Sequence, residues 1–194
     1  MRTWFFHPLV FYPLAILLAA LAIVISVKPQ SWPREPAPVA AKVENGALVF
    51  EGEGFNSPAV GAEQDMTVVR DFWGRAQTLR IAQLPGQPPP TPAEQGVRLL
   101  LTDEQAAMID DRPVTVEVSY EPSQINAASG LAVSLQGIGP ADWASQPAPA
   151  EPATLRFELP AQFAVNAIGL RALSGGTDQA YALEITRVRV TPHP

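Results

Sequence analysis

The sequence lacks cysteine and is poor in histidine, and both features exclude whole classes of site. With no cysteine among 194 residues, the chain forms no disulfide, no zinc–thiolate site and no thiol nucleophile. The two histidines are His7, in an apolar opening segment, and His193, the penultimate residue. We therefore expect no imidazole in the globular part, which excludes a Ser-His-Asp triad and a histidine general base there.

Lysine is absent beyond residue 42, and acidic residues outnumber basic ones in that part of the chain. Residues 43–194 contain nine arginines, no lysine and 18 aspartates or glutamates, for a net charge of −9. A surface this acidic repels a phosphate backbone, so we expect no nucleic-acid partner.

The sequence also lacks an internal repeat, a glycine-rich phosphate loop and a recognisable metal-ligand spacing. Four acidic residues surround one short predicted helix and raise the question of a calcium site: Asp103, Glu104, Asp110 and Asp111. Their spacing matches no EF-hand loop, so we interpret them as solvated helix flanks. We expect neither a metal nor a cofactor.

The opening segment is a long apolar run. Residues 5–27 carry no formal charge when His7 is neutral, and as a helix they would extend roughly 34 Å, enough for a bilayer core of about 30 Å. No small-x-small cleavage site follows promptly, which favours a retained anchor over a signal peptide. We therefore predict a single transmembrane anchor over residues 1–27, with His7 near its interfacial end.

A proline-rich spacer, "KPQSWPREPAPVAAK" over residues 28–42, separates this anchor from the domain at 43–194. The flanking positive charges leave the orientation nearly undecided or favour a cytoplasmic domain. An N-terminal anchor before an all-β domain is a common layout for exported bacterial domains. We therefore place the chain in a bacterial inner membrane, with the β-domain in the periplasm.

Period-two alternation dominates residues 43–194 and predicts half-buried antiparallel strands. In "VTVEVSY" the alternation puts Val114, Val116, Val118 and Tyr120 on one face, and "LRFEL" puts Arg156 and Glu158 outward. Further strands are predicted at 47–50, 66–73, 78–84, 97–101, 131–135, 167–173 and 181–190. Proline-rich loops are predicted at 84–96 and 145–153.

Two local irregularities interrupt the alternation. "TDEQAAMID" predicts one short helix, with Thr102 as its N-cap. In "YALEITRVRV" the apolar residues change phase, which predicts a β-bulge near Thr186 and Arg187.

Many short strands with frequent turns indicate an all-β domain, a jelly-roll-like antiparallel β-sandwich with one short helix. The stretch from "SGLAVSLQGIGPADW" through "TLRFELPAQFAVNAIGLRALSGG" to "LEITRVRV" resembles the C-terminal half of galactose-binding-like, carbohydrate-binding-module-type sandwiches. This resemblance implies a binding module without implying a particular ligand.

A glycosidase would need two carboxylates at a productive separation, and no motif places any pair of Glu117, Glu121, Asp142 and Glu158 in that way. We therefore expect a non-catalytic protein. The first hypothesis is an accessory or scaffold subunit, whose helix docks among integral membrane proteins and whose sandwich contacts partners. The alternative is a membrane-tethered carbohydrate-binding module of the cell envelope.

The two hypotheses use different residues. Partner contact would involve an apolar patch or outward-facing arginines, for which the candidates are Arg171, Arg187 and Arg189. Glycan binding would use aromatic rings at strand–loop borders with a nearby carboxylate, for which the candidates are Trp73, Trp143 and Asp142.

Overall fold

The computed structural model describes residues 8–26, 36–38, 41–56, 58–61, 64–86, 91, 93–176 and 178–193. The predictions for His7 and for most of the proline-rich spacer concern residues outside these ranges.

The chain divides into two compact units, Met1–Arg34 and Glu35–Pro194. In the first unit, helix α1 occupies Pro8–Ser26, a 19-residue apolar segment with Pro13 inside it. Over the part of the chain that the structure describes, no helix is long and apolar enough to cross a membrane.

The second unit is built almost entirely from antiparallel strands. Seven of the strands in the described residues form one sheet, and they are β1 (Lys42–Glu44), β2 (Ala47–Phe50), β4 (Gln64–Arg70), β5 (Ala76–Gln83), β7 (Val114–Pro122), β10 (Ala153–Leu159) and β12 (Tyr181–Pro192). The long strand β12 is the centre of this sheet. It pairs with β7 along one edge and with β5 and then β2 along the other.

The other sheet has five strands in the described residues, in the order β3-β6-β11-β8-β9. Their bounds are Ala59–Val60 for β3, Val97–Leu100 for β6, Gly130–Gln136 for β8, Ala144–Pro147 for β9 and Ala167–Leu173 for β11. The two sheets enclose one apolar core. It is filled from both sides, for example by Leu48, Phe50, Leu79 and Ile81 from the seven-stranded sheet and by Leu99, Leu131, Val133 and Ile168 from the five-stranded one.

This arrangement confirms the predicted β-sandwich. The alternation in "VTVEVSY" correctly predicts which face of β7 is buried. Val114, Val116, Val118 and Tyr120 are all buried in the core. The predicted phase change in β12 is also confirmed, because the register against β7 shifts between Ile185 and Arg187. The bulge lets residues on both sides of it enter the same core.

The short helix is α2 (Asp103–Ile109), and a capping box begins it. The Thr102 hydroxyl accepts a hydrogen bond from the Gln105 amide at 3.3 Å, and the Gln105 side chain accepts one from the Thr102 amide at 3.0 Å. Two otherwise unpaired amide groups are thereby satisfied, which is why the helix begins here.

Two predicted segments differ from the structure. The strand predicted at 66–73 ends at Arg70, because the side chain of Asp71 folds the next residues into a turn. The loop predicted at 145–153 contains most of β9, which pairs with β8 through Gly130, Leu131, Ala132 and Val133. A strand this short and polar has no alternation of its own to reveal it.

The globular part does contain an imidazole, contrary to expectation. His193 Nε2 lies 2.6 Å from Thr115 Oγ1, and this hydroxyl also donates to Glu158 at 2.7 Å. Strand β12 is long enough to place the penultimate residue against β7. The position of this residue near the end of the sequence does not predict that contact.

Candidate functional site

One face of the five-stranded sheet carries polar side chains away from the core, and we call it the outer face. Along β8 and β11, residues such as Leu131 and Ile168 enter the core, while the residues between them point to the opposite side. The outer face is thereby defined by Arg98 from β6, Ser134 and Gln136 from β8, and Gly169 and Arg171 from β11.

Trp143 lies across this face. The guanidinium carbon of Arg171 is 3.9 Å from the centre of the Trp143 ring, which is a cation–π contact. The ring fits because Gly169 has no side chain, since a Cβ there would lie only 2.8 Å from Trp143 Cη2. The loop before β9 is therefore held against the sheet by an aromatic residue lying over a glycine and an arginine.

Arg171 is buried, with only 1% of its surface exposed, and its charge is compensated inside the protein. Its Nη2 donates to the Thr91 carbonyl at 3.0 Å and lies 3.4 Å from a Glu94 carboxylate oxygen. An unpaired buried charge would be strongly destabilising, so these contacts and the Trp143 ring account for its position.

Two adjoining cavities share Pro140 and Ala141 in their walls, and Trp143 lines the second of them. The first has a volume of about 400 Å³, and its polar lining residues are Glu94, Gln95, Arg98, Gln136 and Asn166. The second has a volume of about 520 Å³, and its polar lining residues are Thr91, Asp142, Trp143, Ser145 and Arg171. Both volumes lie within the range of small-molecule sites.

Several polar atoms around this face are buried without a hydrogen-bond partner in the described part of the chain. They are Ser134 Oγ, Trp143 Nε1 and Arg98 Nε. Arg98 lines the first cavity and Trp143 lines the second, whereas Ser134 is fully buried and lines neither.

The structure places Trp73 and Trp143, the two aromatic residues selected from the sequence, in different parts of the domain. Trp143 and Asp142 both line the second cavity. Trp73 is elsewhere, in the turn between β4 and β5 of the seven-stranded sheet, and 76% of its surface is exposed. It lies beside Phe72, with ring centroids 5.2 Å apart in an edge-to-face arrangement.

The turn that carries Trp73 is held by Asp71. One carboxylate oxygen of Asp71 accepts hydrogen bonds from the amides of Trp73 and Arg75, both at 2.9 Å. Desolvation alone would raise the pKa of Asp71, but these hydrogen bonds and the Arg75 guanidinium lower it below its usual range. The carboxylate therefore stays charged and keeps the turn rigid.

The arginines predicted to contact a partner also lie in different places. Arg187 is on the seven-stranded sheet, 3.1 Å from a Glu44 oxygen, and Arg189 follows on the same strand opposite Glu117. Arg171 is the buried residue under Trp143. A partner-contact hypothesis therefore rests on Arg187 and Arg189.

Of the carboxylates that we weighed for a glycosidase pair, Asp142 alone lines one of the two cavities described above. Glu117, Glu121 and Glu158 lie on strands of the seven-stranded sheet, whereas Asp142 lines the second cavity beside the other sheet. Within the described residues, no group of three or more histidine, aspartate or glutamate side chains is placed to hold a metal ion.

Sequence reasoning missed Arg98, Ser134, Gln136 and Glu94. The polar positions of "LAVSLQ" alternate with the core residues, so Ser134 and Gln136 could have been assigned to an outer face. The sequence carries no signal that the loops around Glu94 and Trp143 would cover that face.

Comparisons with known proteins identify no family. No protein-family model matches the chain, and no curated protein matches it. One similar solved structure is titled "BiXyn10A CBM1 APO", with a TM-score of 0.48 and 12% sequence identity over 81% of this chain and 100% of that one. A similarity at this level carries no argument, so the site is interpreted from its own geometry.

Proposed function

We propose that the protein is a non-catalytic, membrane-tethered binding domain that holds a glycan on the outer face of its five-stranded sheet. One observation carries this proposal, namely the Trp143 ring fixed on Arg171 beside two adjoining cavities lined by amide, hydroxyl and carboxylate groups. Of the two hypotheses formed from the sequence, this geometry favours the alternative.

The lining chemistry suits a sugar. A pyranose presents C–H groups on its ring faces and hydroxyl groups at its edge, so it needs an apolar surface with polar groups around it. Around the second cavity, the indole of Trp143 supplies the apolar surface, while Asp142, Ser145 and Thr91 supply hydrogen-bonding groups. Gln136 and Asn166 extend the polar lining into the first cavity.

The screen that tests this proposal uses the full-length chain in mild detergent against a panel of oligosaccharides. We expect at least one class to bind, and we expect Trp143→Ala to weaken that binding by about tenfold or more, which corresponds to about 1.4 kcal/mol. Trp73→Ala is the matched control and should bind as the wild type does. Equal weakening by both substitutions, or no binding to any class, would contradict the proposal.

We also propose that residues 5–27 tether the domain to a bacterial inner membrane, with the domain on the periplasmic side. The absence of formal charge from this run supports the tether. Helix α1 alone is roughly 28 Å long, slightly less than a bilayer core of about 30 Å.

Membrane extraction tests the tether. The full-length chain should stay in the membrane pellet through an alkaline wash, and a double substitution of Leu17 and Leu18 by aspartate should release it, because a charge at mid-helix opposes insertion. Equal extraction of both proteins would exclude a transmembrane tether.

The accessory-subunit role remains a second proposal, favoured by the exposed pair Phe72 and Trp73, which are 74% and 76% exposed. Exposed aromatic residues are enriched among interface hot spots. In a mild-detergent pull-down of the full-length chain, we would expect integral membrane proteins at stoichiometric yield. They should be lost with Trp73→Ala and kept with Ile125→Ala, a substitution of a similarly exposed residue.

A further inference from the structure

Most arginines of the domain are paired within the described residues. Arg98, Arg112 and Arg189 are the exceptions, and of these three Arg98 alone lines one of the two cavities. Ion pairs with carboxylates engage Arg75, Arg80, Arg156, Arg171 and Arg187. Arg98 makes no ion pair and no side-chain hydrogen bond to any residue that the structure describes, although its Nε is buried. A partly buried guanidinium without a counter-charge is costly, and at Arg98 this guanidinium faces a cavity in which an anion would supply the counter-charge.

Arg98 belongs to the candidate site. It lines the first cavity, and on the sheet it lies directly opposite Gly169, which in turn lies opposite Ser134. The row Arg98–Gly169–Ser134 therefore crosses three neighbouring strands with no side chain at its centre. A Cβ on Gly169 would lie 2.3 Å from Gln136 Nε2 and 2.6 Å from Ser134 Oγ, so polar groups converge on that point.

The unpaired groups around this row are mainly donors. Arginine Nε and tryptophan Nε1 donate hydrogen bonds and accept none, and the serine hydroxyl can do either. Gln136 Nε2 is already engaged by the Gln95 carbonyl at 2.6 Å. Glu94, the acidic residue of this cavity, lies 3.4 Å from Arg171. Ser134 is fully buried, and neither Ser134 nor Trp143 lines the first cavity. Arg98 is therefore the unpaired group that faces a ligand there, and it is complemented by a negatively charged acceptor.

We propose that the ligand is an acidic glycan containing uronic acid, and that Arg98 binds its carboxylate. This inference rests on the proposed glycan-binding function and names the class of sugar. The planar guanidinium matches a carboxylate through two parallel hydrogen bonds, which are stronger than those to a neutral hydroxyl. The net charge of −9 on residues 43–194 repels an anion at long range, so selectivity comes from the short-range contact at Arg98.

The experiment is a titration of the full-length chain in mild detergent with uronic-acid trisaccharides and with their methyl esters, alongside neutral trisaccharides. The acid and its ester have the same length and hydroxyl pattern and differ in the charge of the carboxyl groups. We expect an acid to bind at least tenfold more tightly than its ester. Arg98→Gln should remove that difference, whereas Arg98→Lys should keep part of it.

Arg112→Gln is the matched control, since Arg112 is an exposed arginine that lines neither cavity. This variant should keep the preference for the acid. Its result distinguishes a local contact at Arg98 from an effect of the overall charge of the domain. Thermal unfolding of each variant checks that the domain is intact. If Arg98→Gln does not fold, the comparison of acid and ester on the wild-type chain still decides whether the protein prefers the charged sugar.

The outcomes distinguish a failure of the proposed role of Arg98 from a failure of the proposed glycan-binding function. Equal affinity for acid and ester, or binding of neutral trisaccharides alone, overturns the role of Arg98 and leaves the glycan-binding function in place. An acid preference that survives Arg98→Gln assigns the carboxylate to another residue and overturns the inference. Absence of binding to every trisaccharide overturns both proposals.

Discussion

The guanidinium carbon of Arg171 lies 3.9 Å from the centre of the Trp143 ring, so a residue of β11 and the residue just before β9 cover each other. The pair links the sheet to the loop at 137–143, which forms part of the wall of both cavities. Trp143 therefore has two roles, since it covers a buried cation and gives the site its aromatic surface.

Trp143→Ala should destabilise the domain by about 2 kcal/mol, because it removes a desolvated cation–π contact and opens Arg171 to water. Chemical denaturation of the full-length chain in detergent measures this. Trp73→Ala removes an exposed ring and should change the unfolding free energy by less than about 0.5 kcal/mol. Similar losses for the two variants would show that Trp143 does not cover a structural cation.

Gly169→Ala should cost about 2 kcal/mol, because the added methyl group would meet Gln136 Nε2 at 2.3 Å and Trp143 Cη2 at 2.8 Å. The ring and the amide would have to shift, so binding at the outer face should fall as well. Gly175→Ala is a suitable control, since a Cβ at Gly175 has no atom within 4 Å. Urea midpoints of the two variants give the comparison, and a neutral Gly169→Ala would refute the close packing.

Thr102→Ala should destabilise the domain by about 1 kcal/mol, because the capping box at the start of α2 loses its hydroxyl acceptor. Thr102→Ser keeps the acceptor and should recover most of that loss. Thermal unfolding distinguishes the two, and identical melting temperatures for alanine and serine would mean that the cap contributes nothing measurable.

Acid sensitivity should depend in part on Glu184. The Thr78 hydroxyl donates to its carboxylate at 2.6 Å, and this hydrogen bond, followed by the Arg80 guanidinium, lowers the pKa of Glu184 below its usual range. A lowered folded-state pKa stabilises the protein above the unfolded-state value of about 4.3, and this stabilisation is lost as the pH falls through the folded-state value.

Glu184→Gln should therefore flatten the decline of stability with acidification below about pH 4.3. Unfolding free energies of wild type and variant, measured from neutral pH downward, provide the test. Parallel curves over that window would remove Glu184 as a source of acid sensitivity.

The sequence predicts much of the fold because each strand and helix leaves a local signal. Alternation in "VTVEVSY" assigns the buried face of β7, and the phase change in "YALEITRVRV" places the bulge of β12. Strands β1, β3 and β9 have two to four residues and no usable alternation, so their pairing depends on neighbours that are distant in sequence.

The candidate site could be predicted only in part, because it is assembled from distant elements. Trp143 and Asp142 carry a local signal as an aromatic and an acidic residue before a strand. Trp73 carries a similar signal and lies on the other sheet, so residue type alone does not select the site. Arg98 and Ser134 lie on either side of Gly169 in β11, and this placement follows from the register of that strand.

Hydrogen exchange of the full-length chain, with and without a saturating oligosaccharide from the screen, directly tests whether the glycan site lies on the outer face. We predict that protection on binding is confined to peptides covering residues 93–100, 130–146 and 166–173, which form the outer face and its loops. Protection confined to residues 71–75 or 187–191 of the seven-stranded sheet would contradict a glycan site on the five-stranded one.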